Sequence, residues 1–397
     1  MILHVACLPF PSHQGTQAAL AAMLRASTDA GHDTQVLTYA HGAYDLDAPY
    51  TVHRIADFPK VRSLRSGPSW GKLLLDGQCI LAVRRLAREL RPSAIVAHHV
   101  EAALAATMAG VGPVYYVAHT SLERELSVYF PEPFAPAMRT LGSLLDRAAC
   151  GPVAGVAAVA PSLANLVDPN ASYLPVPWQP QRRGPERKAA RETLALPQDV
   201  RICLYAGNLD RYQGWEELMA ALLVLKRTEP NARLLVASES DPTPARHEAT
   251  RLGLARDVDF RRLDSERARA LVHSASDVAW IPRRTEGGLP IKMLEAFGRG
   301  LPVVATKRAT ARLPIEGACR IVENENPSEL AHATGELWGS DSLSEALRSA
   351  GLRYLSTHHS DQAYLTALDT LLGTRATRSQ ATRPAPHRRA APELRAR

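Results

Sequence analysis

Between Thr285 and Thr306 the chain reads TEGGLPIKMLEAFGRGLPVVAT, and its residue types suit the holding of a phosphate or a sugar hydroxyl. Gly287 and Gly288 carry no Cβ, so the backbone can approach a ligand closely. Pro290 suits the first turn of a helix, whose free N–H groups favour an anion. Glu295 falls one to two turns further on, where its carboxylate can accept two hydrogen bonds from a vicinal diol such as ribose. Lys292 adds a cation on the same helix. A second segment, YYVAHTSLERELSVYF (Tyr115–Phe130), places His119 directly after an apolar strand, with Glu123 and Glu125 close behind as weaker candidates for an acceptor base. Strand ends are where α/β sheets present working side chains. A third, YAGNLDRYQG (Tyr205–Gly214), offers Asn208 and Gln213, which donate hydrogen bonds without charge, and the cation Arg211. In a fourth, the loop Pro11–Thr16, Gly15 and Thr16 open the first helix.

These residues need a scaffold, and the hydrophobic pattern supplies one. Ile2–Leu8, Thr34–Tyr39, Ala94–His98 and Val114–Ala118 read as short apolar strands. Between them, Ala19, Leu20, Met23 and Leu24 recur at helical spacing behind a Thr16 N-cap, and Leu81–Leu90 reads as an amphipathic helix. The Pro-rich Tyr173–Pro185 cannot be a regular central element and reads as a connection. The alternation then restarts with strand Ile202–Ala206, helix Trp215–Lys226, strand Arg233–Ala237, helix Ser265–Ser274, strand Val278–Ile281, a helix near Pro290–Gly298 and strand Pro302–Ala305. Strands alternating with helices imply parallel sheets covered on both faces. The expectation is α/β: two Rossmann-like domains, 1–178 and 179–360, facing a central cleft, followed by a helix over 361–372 and a disordered tail over 373–397.

The 285–306 string resembles the signature of family-4 glycosyltransferases with the GT-B fold, which runs Gly-Leu-Pro, a Glu, and then Gly-x-Pro-Val-Val-Ala. A subgroup with Pro-x-Lys-x-x-x-Glu matches Pro290, Lys292 and Glu295, and the resemblance covers about Met1–Leu372. It implies that Glu295 binds the ribose of a nucleotide-sugar donor. It also implies that the backbone of Gly287, Gly288 and Leu289 contacts the sugar and diphosphate, that His119 lies beside the donor sugar, and that Gly15 and Thr16 face the diphosphate or the acceptor. Two departures stand out. The family's first Glu falls at Gly287, so either Glu286 is shifted by one or that Glu is replaced. The Arg and Lys that meet the leaving diphosphate are here Asn208 and Gln213, which leaves Lys292 and Arg211 as candidate replacements.

Composition narrows the rest. The 397 residues are 46% hydrophobic and 22% charged, which excludes global disorder and suits two domains. No uncharged apolar run is long enough to span a bilayer, and the N-terminus lacks the basic flank of a signal peptide. The five scattered cysteines suggest a reducing cytosol without disulfides or a zinc site. The net charge of +7 is uneven: seven arginines face one glutamate in 373–397, and nine Lys/Arg face three acids in 54–91. That argues against a nucleic-acid binder. In 54–91, Trp70 and Leu73–Leu75 beside Lys72 suggest docking on an anionic membrane surface. Asp45-Leu46-Asp47 and His98-His99 look like metal motifs but lack the context for one, and no metal or other cofactor is expected. The loop after Ile2–Leu8 carries one glycine, which argues against a dinucleotide-dependent dehydrogenase.

The sequence therefore points to a metal-independent hexosyltransferase, retaining by resemblance, at work in the cytoplasm or peripherally on the inner membrane face. It would move a sugar from a nucleotide donor to a hydroxyl of a lipid-linked, polysaccharide or small-molecule acceptor. The alternatives are a nucleotide-sugar hydrolase or epimerase of the same fold and a non-catalytic donor-binding homologue.

Overall fold

The computed structural model describes residues 1–12, 14–42, 48–58, 70–131, 133–181, 184–286, 288–315 and 317–373, and the backbone but not the side chain of Trp70. Within them the chain builds two sheets. The first contains β1 (Ile2–Ala6), β2 (Thr34–Thr38), β3 (Thr51–Arg54), β4 (Ala94–His98), β5 (Val114–Ala118), β6 (Gly155–Ala158) and β7 (Ser172–Tyr173), in the order β3-β2-β1-β4-β5-β6-β7. The second contains β8 (Arg201–Ala206), β9 (Ala232–Ser238), β10 (Val258–Arg262), β11 (Val278–Ile281), β12 (Val303–Thr306) and β13 (Arg320–Val322), in the order β10-β9-β8-β11-β12-β13. Every pairing is parallel. Each sheet reverses its strand order once, between β1 and β4 and between β8 and β11, and such switch points are where open α/β sheets place ligands.

The central strands are buried along their whole length, as parallel strands covered on both faces must be. Edge strands are less apolar: β3 is the half-exposed Thr-Val-His-Arg and β10 the half-polar Val-Asp-Phe-Arg-Arg.

Two buried carboxylates hold helices in place. Asp146 accepts from Ser121 Oγ at 2.8 Å and from the backbone N–H groups of Leu122 and Glu123, both at 3.1 Å, and so caps the helix Leu122–Tyr129. Asp277 accepts from Arg191 and Arg187 and from the N–H of Ile202, which ties the helix Arg187–Thr193 to the second sheet. Between β7 and that helix the chain passes from one sheet to the other. It returns at its end. The helix Asp361–Leu371 packs on the helix Gly15–Asp29 and on β6 and β7, with Tyr364 Oη 3.2 Å from Ser27 Oγ.

Several elements differ from expectation. The helix expected from Leu81 begins at Trp70. The first helix starts at Gly15 behind Gln14, which makes no side-chain cap bond; Thr16 lies inside the first turn and is not the cap. The tail from 374 onward, where disorder is expected, lies outside the described residues.

Candidate donor site in the cleft

The loops that leave the carboxyl ends of both sheets enclose one cleft of about 2430 Å³. Single-ligand pockets are typically ~300–1,000 Å³, so this volume suits two substrates. The two halves approach closely at Gly288. This residue, at φ +60, sits so near the end of β5 that a Cβ there would lie 2.6 Å from the carbonyl oxygen of His119. Only glycine satisfies both the left-handed backbone and the space. Gly15, at the start of its helix, faces Ile291 at an ordinary contact distance, with 3.6 Å from an added Cβ to Ile291 Cγ1.

The helix Ile291–Gly298 carries the two charged groups expected of it. Glu295 is buried, with Oε2 2.7 Å from Arg269 and Oε1 3.3 Å from Arg299. Burial by itself would raise its pKa, but His273, Arg269 and Arg299 together hold it below the usual range. It faces the cleft as a carboxylate with acceptor positions left over. Lys292 donates to Gln213 Oε1 at 2.7 Å and to Tyr205 Oη at 3.0 Å, and its ammonium lies 4.3 Å from the Tyr205 ring centre. Burial first, and then the positive charge of Arg283, pulls its pKa well below that of an ordinary lysine.

The loop after β8 is knit internally. Asn208 Nδ2 donates to Asp210 at 2.8 Å and approaches Tyr212 Oη at 3.5 Å, while Asn208 Oδ1 is buried without a partner. Asn208 and Gln213 therefore line the cleft with amides already engaged, Asn208 with Asp210 in the loop and Gln213 with Lys292. Arg211 points outward and is not among the lining residues. Glu286 is likewise exposed and lines nothing. Gly287 lies outside the described residues. Gly288, Leu289, Lys292, Glu295, His119, Gly15 and Thr16 all line the cleft.

The sequence reading overlooks one cation. Arg283, two residues beyond β11 at the switch point of the second sheet, is buried and lines the cleft. It donates from Nη1 to the Gly288 carbonyl at 2.9 Å and lies 5.6 Å from the Tyr212 ring centre; its Nε is buried without a partner. No carboxylate forms a salt bridge with it among the described residues. Its place just past a strand end in a parallel sheet is the signal that would have found it.

From the first sheet, Glu125 stands half-buried in the cleft, and burial raises its carboxyl to about 7, with Arg283 pulling the other way. Nearby, Tyr39 donates to Asp76, whose carboxyl burial raises to about 6. His98 turns into the core, whereas His99, at φ 71, lines the cleft. Among the described residues no group of three or more His, Cys, Asp or Glu side chains could hold a metal ion. Asp45 and Asp47 lie outside them.

Two Rossmann-like sheets whose carboxyl ends share a cleft define the GT-B class of architecture. Solved structures of that class superpose along nearly the whole chain. Sucrose-phosphate synthase from Thermosynechococcus elongatus matches with a TM-score of 0.75 at 18% identity, over 94% of this chain and 98% of that one. HepE from Anabaena, in complex with UDP-glucose, gives 0.72 at 16% identity, over 94% and 99%. At such identities the likeness is one of fold. The sequence comparisons go further. The model for Glycosyltransferase Family 4 matches residues 14–171 and that for Glycosyl transferases group 1 matches residues 200–340. The chain belongs to the family-4 glycosyltransferases. D-inositol 3-phosphate glycosyltransferase of Streptomyces coelicolor is 29% identical over 204 residues, 48% of this chain and 44% of that protein. Its namesake in Segniliparus rotundus is 30% identical over 127 residues, 31% and 28% of the two chains. These alignments span less than half the length of the curated relatives.

Proposed function

We propose that the protein is a metal-independent, retaining glycosyltransferase that moves a hexose from a UDP-sugar to an acceptor hydroxyl. The observation that carries this reading is the approach of Gly288 to His119. It joins the glycine loop of the second half to the strand-end histidine of the first, with Glu295 and Arg283 in the same cleft. Glu295 accepts the ribose hydroxyls. The N–H groups opening the helix Ile291–Gly298 and the guanidinium of Arg283 meet the diphosphate. Arg283 supplies the charge that Asn208 and Gln213 lack. The C1–O bond to the diphosphate breaks, and the acceptor oxygen bonds to C1 on the same face. The acceptor's proton passes to the departing phosphate oxygen. Stabilising the leaving charge and aligning the acceptor are then the main catalytic tasks. UDP is the preferred nucleotide because HepE binds UDP-glucose in the same fold.

The test is a thermal-shift panel of UDP-, GDP-, ADP- and dTDP-sugars, followed by label transfer from the best binder with and without acceptor. A ligand at 100 times its Kd stabilises the native state by about 2.7 kcal/mol. Glu295→Ala should weaken donor binding, and His119→Ala should lower turnover more than binding. Release of free sugar alone would favour hydrolysis. Donor binding with no transfer to any acceptor would favour a non-catalytic homologue.

A further inference from the structure

The transfer reading uses one imidazole, His119, but two more stand behind it in the sheet. His4 lies on β1, His98 on β4 and His119 one residue beyond β5. The register sets His4 beside Val96, two residues before His98, and sets His98 beside Val117, two residues before His119. A two-residue step keeps all three side chains on one face of the sheet, as diagonal neighbours within reach of one another. The row climbs toward the carboxyl edge and ends in the cleft. His4 Nδ1 is 2.9 Å from His98 Nε2, and His98 Nδ1 is 3.0 Å from His119 Nε2. His99 also stacks on His119, ring centres 4.9 Å apart. Burial holds the row neutral, with His4 lowered to about 3 and the other two well below the usual value.

A neutral imidazole has one N–H and one lone pair, and each contact needs one of each. The row therefore has two self-consistent states. In one, every ring is protonated on Nδ1, His119 offers an N–H to the cleft, and His4 Nε2 is a bare lone pair. In the other, every ring is protonated on Nε2 and His4 holds an N–H. His4 Nε2 is buried without a partner. Buried donors are left stranded less often than buried acceptors, which favours the first state.

We infer that His4 and His98 are positioning residues that lock His119 as its Nδ1–H tautomer, so that the cleft meets a neutral hydrogen-bond donor there and not a base. The tautomer is independent of the transfer reading. That reading enters only in what the N–H meets, a hydroxyl oxygen of the donor sugar.

Long-range ¹H–¹⁵N spectra of the full chain labelled with ¹⁵N-histidine at pH 7.5 report the tautomer of each ring. His4, His98 and His119 should all be protonated on Nδ1. A His119 protonated on Nε2, or exchanging between forms, overturns the inference. His4→Phe removes the donor at the end of the row. The His119 signals should then become those of a tautomer mixture, and kcat should fall on the order of tenfold with the donor KM within about twofold. His4→Asn, whose amide can donate to His98 Nε2, should restore both. An unchanged His119 tautomer in folded His4→Phe protein also overturns the inference. If that variant fails to fold, the wild-type spectrum decides. The spectra need no turnover, so failure of the transfer reading and failure of the lock are read separately.

Discussion

Arg283 and Arg211 pose the sharpest contrast between single residues. Both are arginines in loops that follow strands of the second sheet, but one is buried in the cleft without a carboxylate salt bridge among the described residues and the other points to solvent. A charged hydrogen bond contributes about 1.5–3 kcal/mol. Arg283→Ala should therefore weaken UDP binding by about 10- to 100-fold in calorimetry, while Arg211→Ala stays near wild type. Equal losses in both variants would move the charge back to the outer loop. The histidine row makes a second prediction at this scale. Its rings stay neutral when folded and take up protons when unfolded, so the unfolded chain binds more protons as pH falls below about 6.5. Stability from these rings is fully present above that pH and declines below it, by up to about 1.4 kcal/mol per pH unit for each ring. Glu125 acts in the opposite sense. Its raised carboxyl favours the native state as pH falls from about 7 toward the ordinary carboxylate value. Urea unfolding at pH 7.5 and 5.0 measures the sum, and Glu125→Gln should steepen the loss at pH 5.0.

At the scale of elements, a few contacts set where the site residues stand. Gly288→Ala would strain a left-handed residue and press a methyl on the His119 carbonyl. A cost of about 1–3 kcal/mol is expected, with transfer impaired beyond the loss of folded protein. Asp146→Ala would leave the capped N–H groups of the helix Leu122–Tyr129 without their acceptor, at about 1–3 kcal/mol. Because that helix carries Glu125, the variant should also shift the pH dependence of the activity. Thermal unfolding paired with activity per folded molecule checks both. The elements themselves were unequally legible in the sequence. Ala94–His98, Val114–Ala118 and Val278–Ile281 were read with their observed bounds, because central parallel strands are continuous apolar runs. Thr51–Arg54 and Val258–Arg262 were missed because strands with a wet side carry no such run.

For the whole molecule, the return of the helix Asp361–Leu371 to the first sheet couples the two halves. Tyr364 and Leu368 are fully buried there. Ending the chain at His359 should lower the melting temperature by several degrees relative to a chain ending at Gly373, since each buried large side chain contributes about 1.5–3 kcal/mol. The helix Trp70–Leu90 presents an outer face to be tested separately. Leu74, Leu81, Arg84, Arg85 and Arg88 are all exposed at helical spacing, and among the described residues no helix is long and apolar enough to cross a membrane. Peripheral docking through this face predicts sedimentation with anionic but not zwitterionic vesicles, lost in high salt and in a Leu74→Asp, Leu81→Asp variant. Equal binding to both kinds of vesicle would remove the electrostatic basis of the idea.

What the sequence determined by itself was local: apolar runs that become strands, and a glycine-proline-glutamate string that opens one helix. These depend on neighbours along the chain, and so can be read from it. Whether Arg283 or Arg211 enters the cleft, whether Glu286 does, and which imidazoles touch were decided only by the tertiary structure. Those outcomes follow from the strand order and register of two sheets and from how closely their loops approach, which are long-range pairings that no stretch of sequence contains.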